Sequence, residues 1–165
     1  MNDNKGQISA EFLILFGVLI LVAMLSVIFI AHENELNTAM SAARSGAIEG
    51  VGISSAAFYS DDTYYEYSSS KDSLMHAYSV EIINVSYNDM GWDSNYDKNK
   101  IQFKVYARAS GDYTKKELDS IGDRINYYLR KSLAVSFNST SSTNKLYNPV
   151  FSSHYVFTTA NIKWV

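Results

Sequence analysis

The sequence predicts an α+β fold in which a long hydrophobic N-terminal helix is followed by a small antiparallel β-sheet that one further helix covers. Three observations predict it. Residues 12–31 form an apolar run without a charged side chain. Residues 101–109 alternate between apolar and polar side chains, which is typical of a half-buried strand. After Thr114, apolar residues recur at spacings of three and four positions, which is typical of an amphipathic helix.

The apolar run is long enough to cross a membrane. About twenty helical residues at a rise of about 1.5 Å span a hydrocarbon core of about 30 Å. A secretory leader has a shorter apolar core and small residues before its cleavage site, whereas a cut after Ala31 would place Phe29 at position minus three. We therefore expect the span to be retained. Lys5 precedes the span and Glu33 and Glu35 follow it, so the positive-inside rule places the bulk of the chain outside the cytoplasm.

The helical pattern continues beyond the apolar run, with apolar side chains at spacings of three and four residues. These residues are Leu36, Met40, Ala43, Ala47 and Val51. The only proline, Pro149, lies far away, so no proline interrupts this stretch. We predict one helix from about Ile8 to about Ala57, roughly 75 Å long at a rise of about 1.5 Å per residue.

The same stretch carries a row of small residues at four-residue spacing. Its members are Ala42, Gly46, Gly50 and Ser54. Such a row lets a second helix approach the backbone closely, which favours helix-to-helix packing. The alternative is that Gly46, Gly50 and Gly52 weaken the helix, each by up to about 1 kcal/mol relative to alanine, and mark its end. Both interpretations remain open.

The rest of the chain predicts a sheet-rich domain. Residues 59–73 are rich in Tyr, Ser and Asp and lack a sustained period, which indicates a junction or loop. A first strand is predicted at residues 78–87, with a β-bulge where its inward set changes. The inward residues are Val80 and Ile82 before the bulge, and Ile83, Val85 and Tyr87 after it. Residues 101–109 form the second predicted strand.

A helix is predicted next, because Thr114 and Glu117 form a capping-box pattern. The apolar face of this helix consists of Leu118, Ile121, Ile125, Leu129 and Leu133. The alternation that follows predicts a third strand through Leu133, Val135 and Phe137. Residues 147–165, including Tyr155 and Phe157, hold one or two more strands. We expect the helix to lie on the sheet.

Composition excludes several classes of function. The formal net charge of −3 at pH 7 gives no electrostatic basis for nucleic-acid binding. The chain has no cysteine, so it lacks disulfides, thiolate metal sites and a thiol nucleophile. The three histidines, His32, His76 and His154, lie in three different contexts without a catalytic motif around them. We expect neither a catalytic residue nor a cofactor.

Two polar patterns are candidate binding or modification sites. One set of oxygen-bearing side chains alternates as in a calcium loop, but lysines stand where that loop needs its glycine and its bidentate glutamate. The set is Asp93, Asn95, Asp97 and Asn99. We interpret it as a polar hairpin between two strands, with a weak calcium site as the alternative. Asn138 and Asn84 begin N-glycosylation sequons, and Asn138 is preferred because it follows an inward Phe137.

A tyrosine cluster follows the long helix. Its members are Tyr59, Tyr64, Tyr65 and Tyr67. Tyrosine supplies apolar area with a polar tip, so the cluster fits an adhesive or subunit-contact surface. The alternative is a covered junction between the long helix and the sheet.

The N-terminus resembles a known family. Gln7, Ser9, Glu11 and Leu15 match the Q-x-S-x-E-x-x-x-L pattern of archaeal type IV pilin-like proteins with class III signal peptides. Lys5 and Gly6 stand where that family has the flank of its cleavage site. The resemblance implies that a prepilin peptidase cuts between Gly6 and Gln7, which leaves the hydrophobic helix on the mature chain.

The resemblance also implies a domain organisation and partners. Residues 1–6 would be the cleaved signal peptide, residues 7–58 the long helix, and residues 59–165 an extracellular head domain. The subunit would cross the cell membrane once before assembly and then join a homo-oligomeric helical filament, a pilus at the cell surface. Assembly would involve the prepilin peptidase, an assembly ATPase and a membrane platform protein.

Glu11 is the candidate docking residue. Cleavage would create an α-amino group at Gln7, and Glu11 would pair with such a group on a neighbouring subunit, because an unpaired carboxylate among apolar helices is costly. Cyclisation of Gln7 to pyroglutamate would leave only a hydrogen-bond donor. In the alternative interpretation Glu11 merely caps a membrane helix, where the helix dipole favours it.

Two rival functions remain at this level. The first is an uncleaved, membrane-anchored surface protein with a single span and an extracellular binding domain. In such a protein residues 1–6 would persist in the mature chain, which distinguishes it from a processed pilin. The second is a membrane-tethered hydrolase, which needs His76 or His154 to converge with carboxylates. The sequence does not separate a major from a minor pilin.

Overall fold

The computed structural model describes residues 4–56 and 80–165, and the predicted long helix is its first element. This helix, α1, runs from Asn4 to Ala56 and contains 53 residues. It includes a stretch, Ala10–Gly52, that is long and apolar enough to cross a membrane. The chain divides into two compact units, Met1–Asn37 and Thr38–Val165, and we call the second unit the head unit.

The head unit contains a five-stranded sheet and a second helix. The elements are β1 (Val80–Asp93), β2 (Lys98–Ala109), α2 (Lys115–Ser136), β3 (Val150–Phe151), β4 (Tyr155–Thr159) and β5 (Lys163–Trp164). The strand order is β1-β2-β4-β3, and β5 pairs with β2 beside β4. The predicted α+β class, with a long N-terminal helix before a sheet and a second helix, is confirmed.

The sheet is mixed, so the prediction of an antiparallel sheet was wrong in this respect. β1 pairs antiparallel with β2, and β3 with β4, but β2 pairs parallel with both β4 and β5. Parallel neighbours need a long crossover between them, and α2 together with the loop after it lies between β2 and β4 in the chain. The helix therefore connects two strands of the sheet as well as covering it.

The predicted third strand through Leu133, Val135 and Phe137 is the end of α2 instead. The Phe137 backbone N–H donates to the Leu133 carbonyl oxygen at 3.1 Å, which is helical spacing, and Phe137 is the C-cap. Leu133 is fully buried, whereas Val135 is 64% exposed. The apparent alternation arose because Leu133 continues the apolar face of the helix and Phe137 turns inward after it, where it stacks on Phe157.

The start of α2 and the core of the head unit agree with the sequence pattern. The Thr114 backbone N–H donates to Glu117 Oε2 at 2.7 Å, and the Glu117 N–H donates to Thr114 Oγ1 at 3.3 Å, which completes the capping box. The apolar face of α2 and the inward face of β2 are buried together with β4. The buried residues include Ile121, Ile125, Leu129, Leu133, Ile101, Phe103, Val105, Ala107, Val156 and Phe157.

The predicted bulge in the first strand is present, but the inward set differs. The register of β1 against β2 shifts between Ile82 and Asn84. Val85 is buried, whereas Ile83 is 43% and Tyr87 40% exposed. β1 is an edge strand of the sheet, so side chains beyond its buried centre have fewer neighbours to cover them.

The row of small residues packs against α2 within the head unit. A Cβ placed on Gly46 would lie 2.5 Å from the Tyr128 carbonyl oxygen, and one placed on Gly50 would lie 2.8 Å from Ile125 Cα. The neighbouring alanines Ala39, Ala43 and Ala47 are fully buried. The helix-packing interpretation is therefore confirmed, and the partner is the chain's own second helix. Since α1 continues to Ala56, these glycines do not end it. The side chain of Ser54 is not among those described.

Candidate functional site

The apolar run of α1 is an uncovered surface in the unit Met1–Asn37. Its large apolar side chains from Phe12 to Ile30 are all exposed, from 45% at Ile20 to 69% at Leu15. Exposed apolar area on this scale marks contact with a membrane or with other protein surfaces, because water would otherwise hydrate it at a high free-energy cost. We call residues 12–31 the apolar segment.

The apolar segment satisfies its own polar groups. The hydroxyl of Ser26 donates to the Val22 carbonyl oxygen at 2.9 Å, one turn earlier in the helix. All backbone groups within a helix are bonded along it, so the segment presents no unpaired donor to lipid. The apolar segment therefore fits a hydrocarbon core and a bundle of apolar helices equally well.

Glu11 lies directly before the apolar segment, and its side chain is exposed. Within the described part of the chain, its carboxylate has neither a hydrogen-bond donor nor a cation as partner. The nearest side chains along the helix on its C-terminal side are apolar. The arrangement is one acceptor at the rim of an apolar surface, available to a donor from outside the subunit.

Residues 4–30 match the family model of the class III signal peptide. The match includes Gly6, Gln7, Ser9, Glu11 and Leu15, together with nearly all of the apolar segment. The chain carries the class III signal peptide of type IV pilin-like proteins. In this pilin-like protein the matched segment and the exposed apolar surface are the same stretch of helix α1.

The signal peptide and the apolar helix indicate membrane anchoring and a location at the cell surface or outside the cell. Pilin-like proteins of this class are typically structural subunits rather than enzymes. Neither the curated proteins nor the solved structures contain a match to this pilin-like protein. The head unit is therefore characterised by its own structure alone.

The four candidate calcium ligands lie in the β1–β2 hairpin, and the hairpin interpretation is confirmed. Asp93 Oδ1 accepts hydrogen bonds from the Asn95 backbone N–H at 3.0 Å and from Asn95 Nδ2 at 3.1 Å. Asp93 Oδ2 lies 3.3 Å from Lys100 Nζ. The Asn95 backbone bond and the Lys100 ammonium hold the pKa of Asp93 below its usual range. Asp97, at φ 57°, makes the turn itself, and Asn99 lies in β2.

The remaining candidates belong to different units or lie outside the described residues. His32 lies in the unit Met1–Asn37, whereas His154 is an exposed residue of the head unit, between β3 and β4. His76 and the tyrosines Tyr59, Tyr64, Tyr65 and Tyr67 lie outside the described residues. Asn138 is exposed at φ 50° in the turn after α2, and Asn84 is exposed within β1 at the register shift.

The sequence pattern missed one feature, a cleft between α2 and the end of the chain. Asp119, Asp123 and Asn126 line it from α2, and Asn161 and Trp164 line it from the opposite side. The spacing of the three α2 residues places them on one helical face, and this polar face can be seen in the sequence. The sequence did not reveal that β5 lies opposite that face, because β5 is only two residues long.

Proposed function

We propose that this protein is a structural subunit of an archaeal type IV-like pilus and not an enzyme. One observation carries the proposal: the stretch that matches a class III signal peptide is also an uncovered apolar helix surface, and the carboxylate of Glu11 lies exposed at its N-terminal rim. In the membrane, lipid covers this surface. In the filament, the apolar segments of neighbouring copies cover one another, and the subunits form a helical homo-oligomer.

Maturation begins with removal of residues 1–6 by a prepilin peptidase. The cut between Gly6 and Gln7 leaves the apolar segment in place and generates an α-amino group four residues before Glu11. An assembly ATPase and a membrane platform protein would then supply the energy and the scaffold for extracting subunits into the filament. No cofactor is needed for a role that depends on packing.

The packing of α1 in the head unit limits which part of the helix is available to neighbours. α2 lies against Gly46 and Gly50, so no helix of a neighbouring subunit can approach those two glycines. The apolar segment has no such cover, and in this proposal it provides the contact between subunits. The head unit would then remain on the outside of the filament.

Processing is tested by incubating membranes that contain the full chain with a prepilin peptidase. The expected product lacks residues 1–6, and Gly6→Val is expected to retain them, because a β-branched side chain hinders close approach to the scissile bond. Gly17→Val is the matched control, since a Cβ at Gly17 meets no heavy atom within 4 Å. Equal processing of wild type and Gly6→Val, or no shortening of the wild type, would contradict the proposed site.

Glycosylation at Asn138 is a second expectation for the extracellular head. Asn138 stands exposed in a turn, a geometry in which a glycosyl group meets solvent, whereas Asn84 is within a paired strand. In cells that glycosylate N-x-Ser/Thr sequons, Asn138→Gln should remove a glycan mass from the intact protein. Asn84→Gln should change the mass less or not at all. A mass unaffected by Asn138→Gln and lowered by Asn84→Gln would reverse the preference.

A further inference from the structure

The sheet of the head unit has one face that points away from α2. Along β2, the residues that point toward α2 are buried, and the alternate residues point to the other side. These alternate residues are half-exposed from Lys98 to Tyr106 and exposed at Arg108, and most of them are basic. β5 adds the exposed Lys163 beside Tyr106. We call this surface the basic sheet face, and its cations are Lys98, Lys100, Lys104, Arg108 and Lys163.

Positive charge is concentrated on this face although the chain as a whole is acidic. The register places two carboxylates there, with Glu81 opposite Arg108 and Asp93 opposite Lys98. Five cations less two carboxylates leave a charge of +3 on the described part of the face, against −3 for the whole chain. Among the described residues, the only ion pair of these cations joins Lys100 Nζ to Asp93 Oδ2 at 3.3 Å. The other four cations are therefore available to an anionic partner.

Three of the cations surround one aromatic ring. Lys104 and Arg108 stand two residues before and after Tyr106 on the same face of β2, each about 7 Å away at a rise of about 3.3 Å per residue. Lys163 pairs with Tyr106 across the neighbouring strand, and its Nζ lies 5.7 Å from the centre of the Tyr106 ring. These cations stand on paired strands, so the sheet fixes their spacing.

This spacing sets the class of anion. Successive cations along β2 are two or four residues apart, which is about 7 or 13 Å. Duplex DNA carries one charge per about 1.7 Å of its axis and is far more densely charged than this face. The neutral polar side chains that share the face are Asn84, Ser86, Asn88 and Gln102. We propose that the basic sheet face binds an acidic polysaccharide, a linear polymer in which carboxylates are separated by neutral, hydroxyl-rich rings.

Such a polymer uses both kinds of group on the face. Its carboxylates pair with the cations around Tyr106, and the Arg108 guanidinium can hold one carboxylate through two parallel hydrogen bonds. Its hydroxyls donate to and accept from the exposed amides of Asn84 and Asn88. Each exposed ion pair contributes little by itself, so one head unit binds weakly. Repeated heads along a filament would hold one polymer at many points, and this avidity alone rests on the proposed function.

Fluorescence anisotropy on the unassembled full chain tests the proposal independently of filament formation. The protein is held in micelles of a polyoxyethylene alkyl ether, an uncharged detergent, and is titrated into labelled polymers at low ionic strength. The polymers are hyaluronate, which has a carboxylate on every second ring, neutral dextran, poly-glutamate and a DNA duplex. We expect hyaluronate to bind most tightly and dextran not to bind. The affinity for hyaluronate should fall as salt rises, because binding releases counterions.

Charge variants locate the binding on the basic sheet face. Lys104→Gln combined with Lys163→Gln should weaken hyaluronate binding about tenfold, because two ion pairs are lost. Glu81→Gln removes a carboxylate from the face and should strengthen binding, a gain that a misfolded variant would not give. Lys115→Gln combined with Lys116→Gln is the charge-matched control, because both are exposed lysines at the start of α2. This control should leave the affinity unchanged.

Four results would overturn the proposal. Hyaluronate binding no stronger than dextran binding would show that the face holds no acidic polysaccharide. Tighter binding of DNA or of poly-glutamate would make the face a surface for nucleic acid or for an acidic protein. Association of the protein with itself at low salt, without hyaluronate binding, would make a second copy the occupant. Hyaluronate binding that the Lys104/Lys163 double variant lowers no more than the control does would place the polymer elsewhere.

Discussion

Replacing Glu11 with leucine is expected to leave the subunit inserted in the membrane and to remove it from filaments. Insertion depends on the apolar segment, which the substitution extends by one residue. Assembly depends on the carboxylate, because in the proposed filament it pairs with the α-amino group of a neighbour. Removing one member of a buried ion pair typically costs about 3–5 kcal/mol, since the other charge stays buried without a partner. Each 1.4 kcal/mol changes an equilibrium constant by about a factor of ten, so incorporation should fall by two orders of magnitude or more.

The measurement is the ratio of subunit in sheared filaments to subunit in membranes, in cells that express the variant in place of the wild type. Glu33→Gln is the matched control, because Glu33 is an exposed acidic residue of the same helix on the far side of the apolar segment. Glu11→Gln should fall between the two, since glutamine keeps a hydrogen-bond acceptor but not the charge. Wild-type incorporation of Glu11→Leu would remove Glu11 from the docking mechanism.

Gly46→Ala is expected to destabilise the head unit although alanine is the better helix former. The added Cβ would lie 2.5 Å from the Tyr128 carbonyl oxygen and 2.7 Å from Leu129 Cα, both backbone atoms of α2. These atoms move only if the two helices move apart, and overpacking of this kind typically costs about 1–3 kcal/mol. The gain in helix propensity, up to about 1 kcal/mol, offsets only part of that cost.

Gly52→Ala is the internal control for this prediction. Gly52 lies in the same helix, and a Cβ there meets no heavy atom within 4 Å, so only the gain in helix propensity remains. In detergent micelles, thermal unfolding followed by near-ultraviolet circular dichroism should give a lower midpoint for Gly46→Ala and an equal or higher one for Gly52→Ala. The shift should be about 2–8 °C for each kcal/mol. Equal midpoints for the two variants would contradict the close approach of α1 and α2.

The elements that the sequence predicted correctly depend on neighbours along the chain. The apolar segment, the capping box at Thr114 and the alternation in β2 each repeat within one or two turns or pleats, so a short window contains the whole signal. The end of α2 shows the limit of such windows. The alternation at its end fits both a strand and a helix followed by its cap, through Leu133, Val135 and Phe137. Only the burial of Leu133 together with the apolar face of α2 decides between the two.

Features that depend on pairing across the chain could not be predicted in the same way. The parallel alignment of β2 with β4 is set by where α2 returns the chain, and the alternation within each strand is the same for either direction. The row of small residues predicted a close helix contact without naming the partner. The cleft at Asn126 likewise needs β5 opposite α2, which no local pattern indicates. Glu11 and its flanking residues form a local motif, so a short sequence window is enough to recognise the class III signal peptide.

In the proposed function, the chain is processed and built into a filament through its N-terminal helix. The most direct test of this function is the N-terminal peptide of the protein, determined by mass spectrometry in sheared cell-surface filaments and in membranes. We expect the filament peptide to begin at Gln7, free or cyclised, and chains beginning at Met1 to occur only in membranes. Chains that begin at Met1 in membranes, with no protein recovered in filaments, would contradict this expectation and indicate an anchored surface protein.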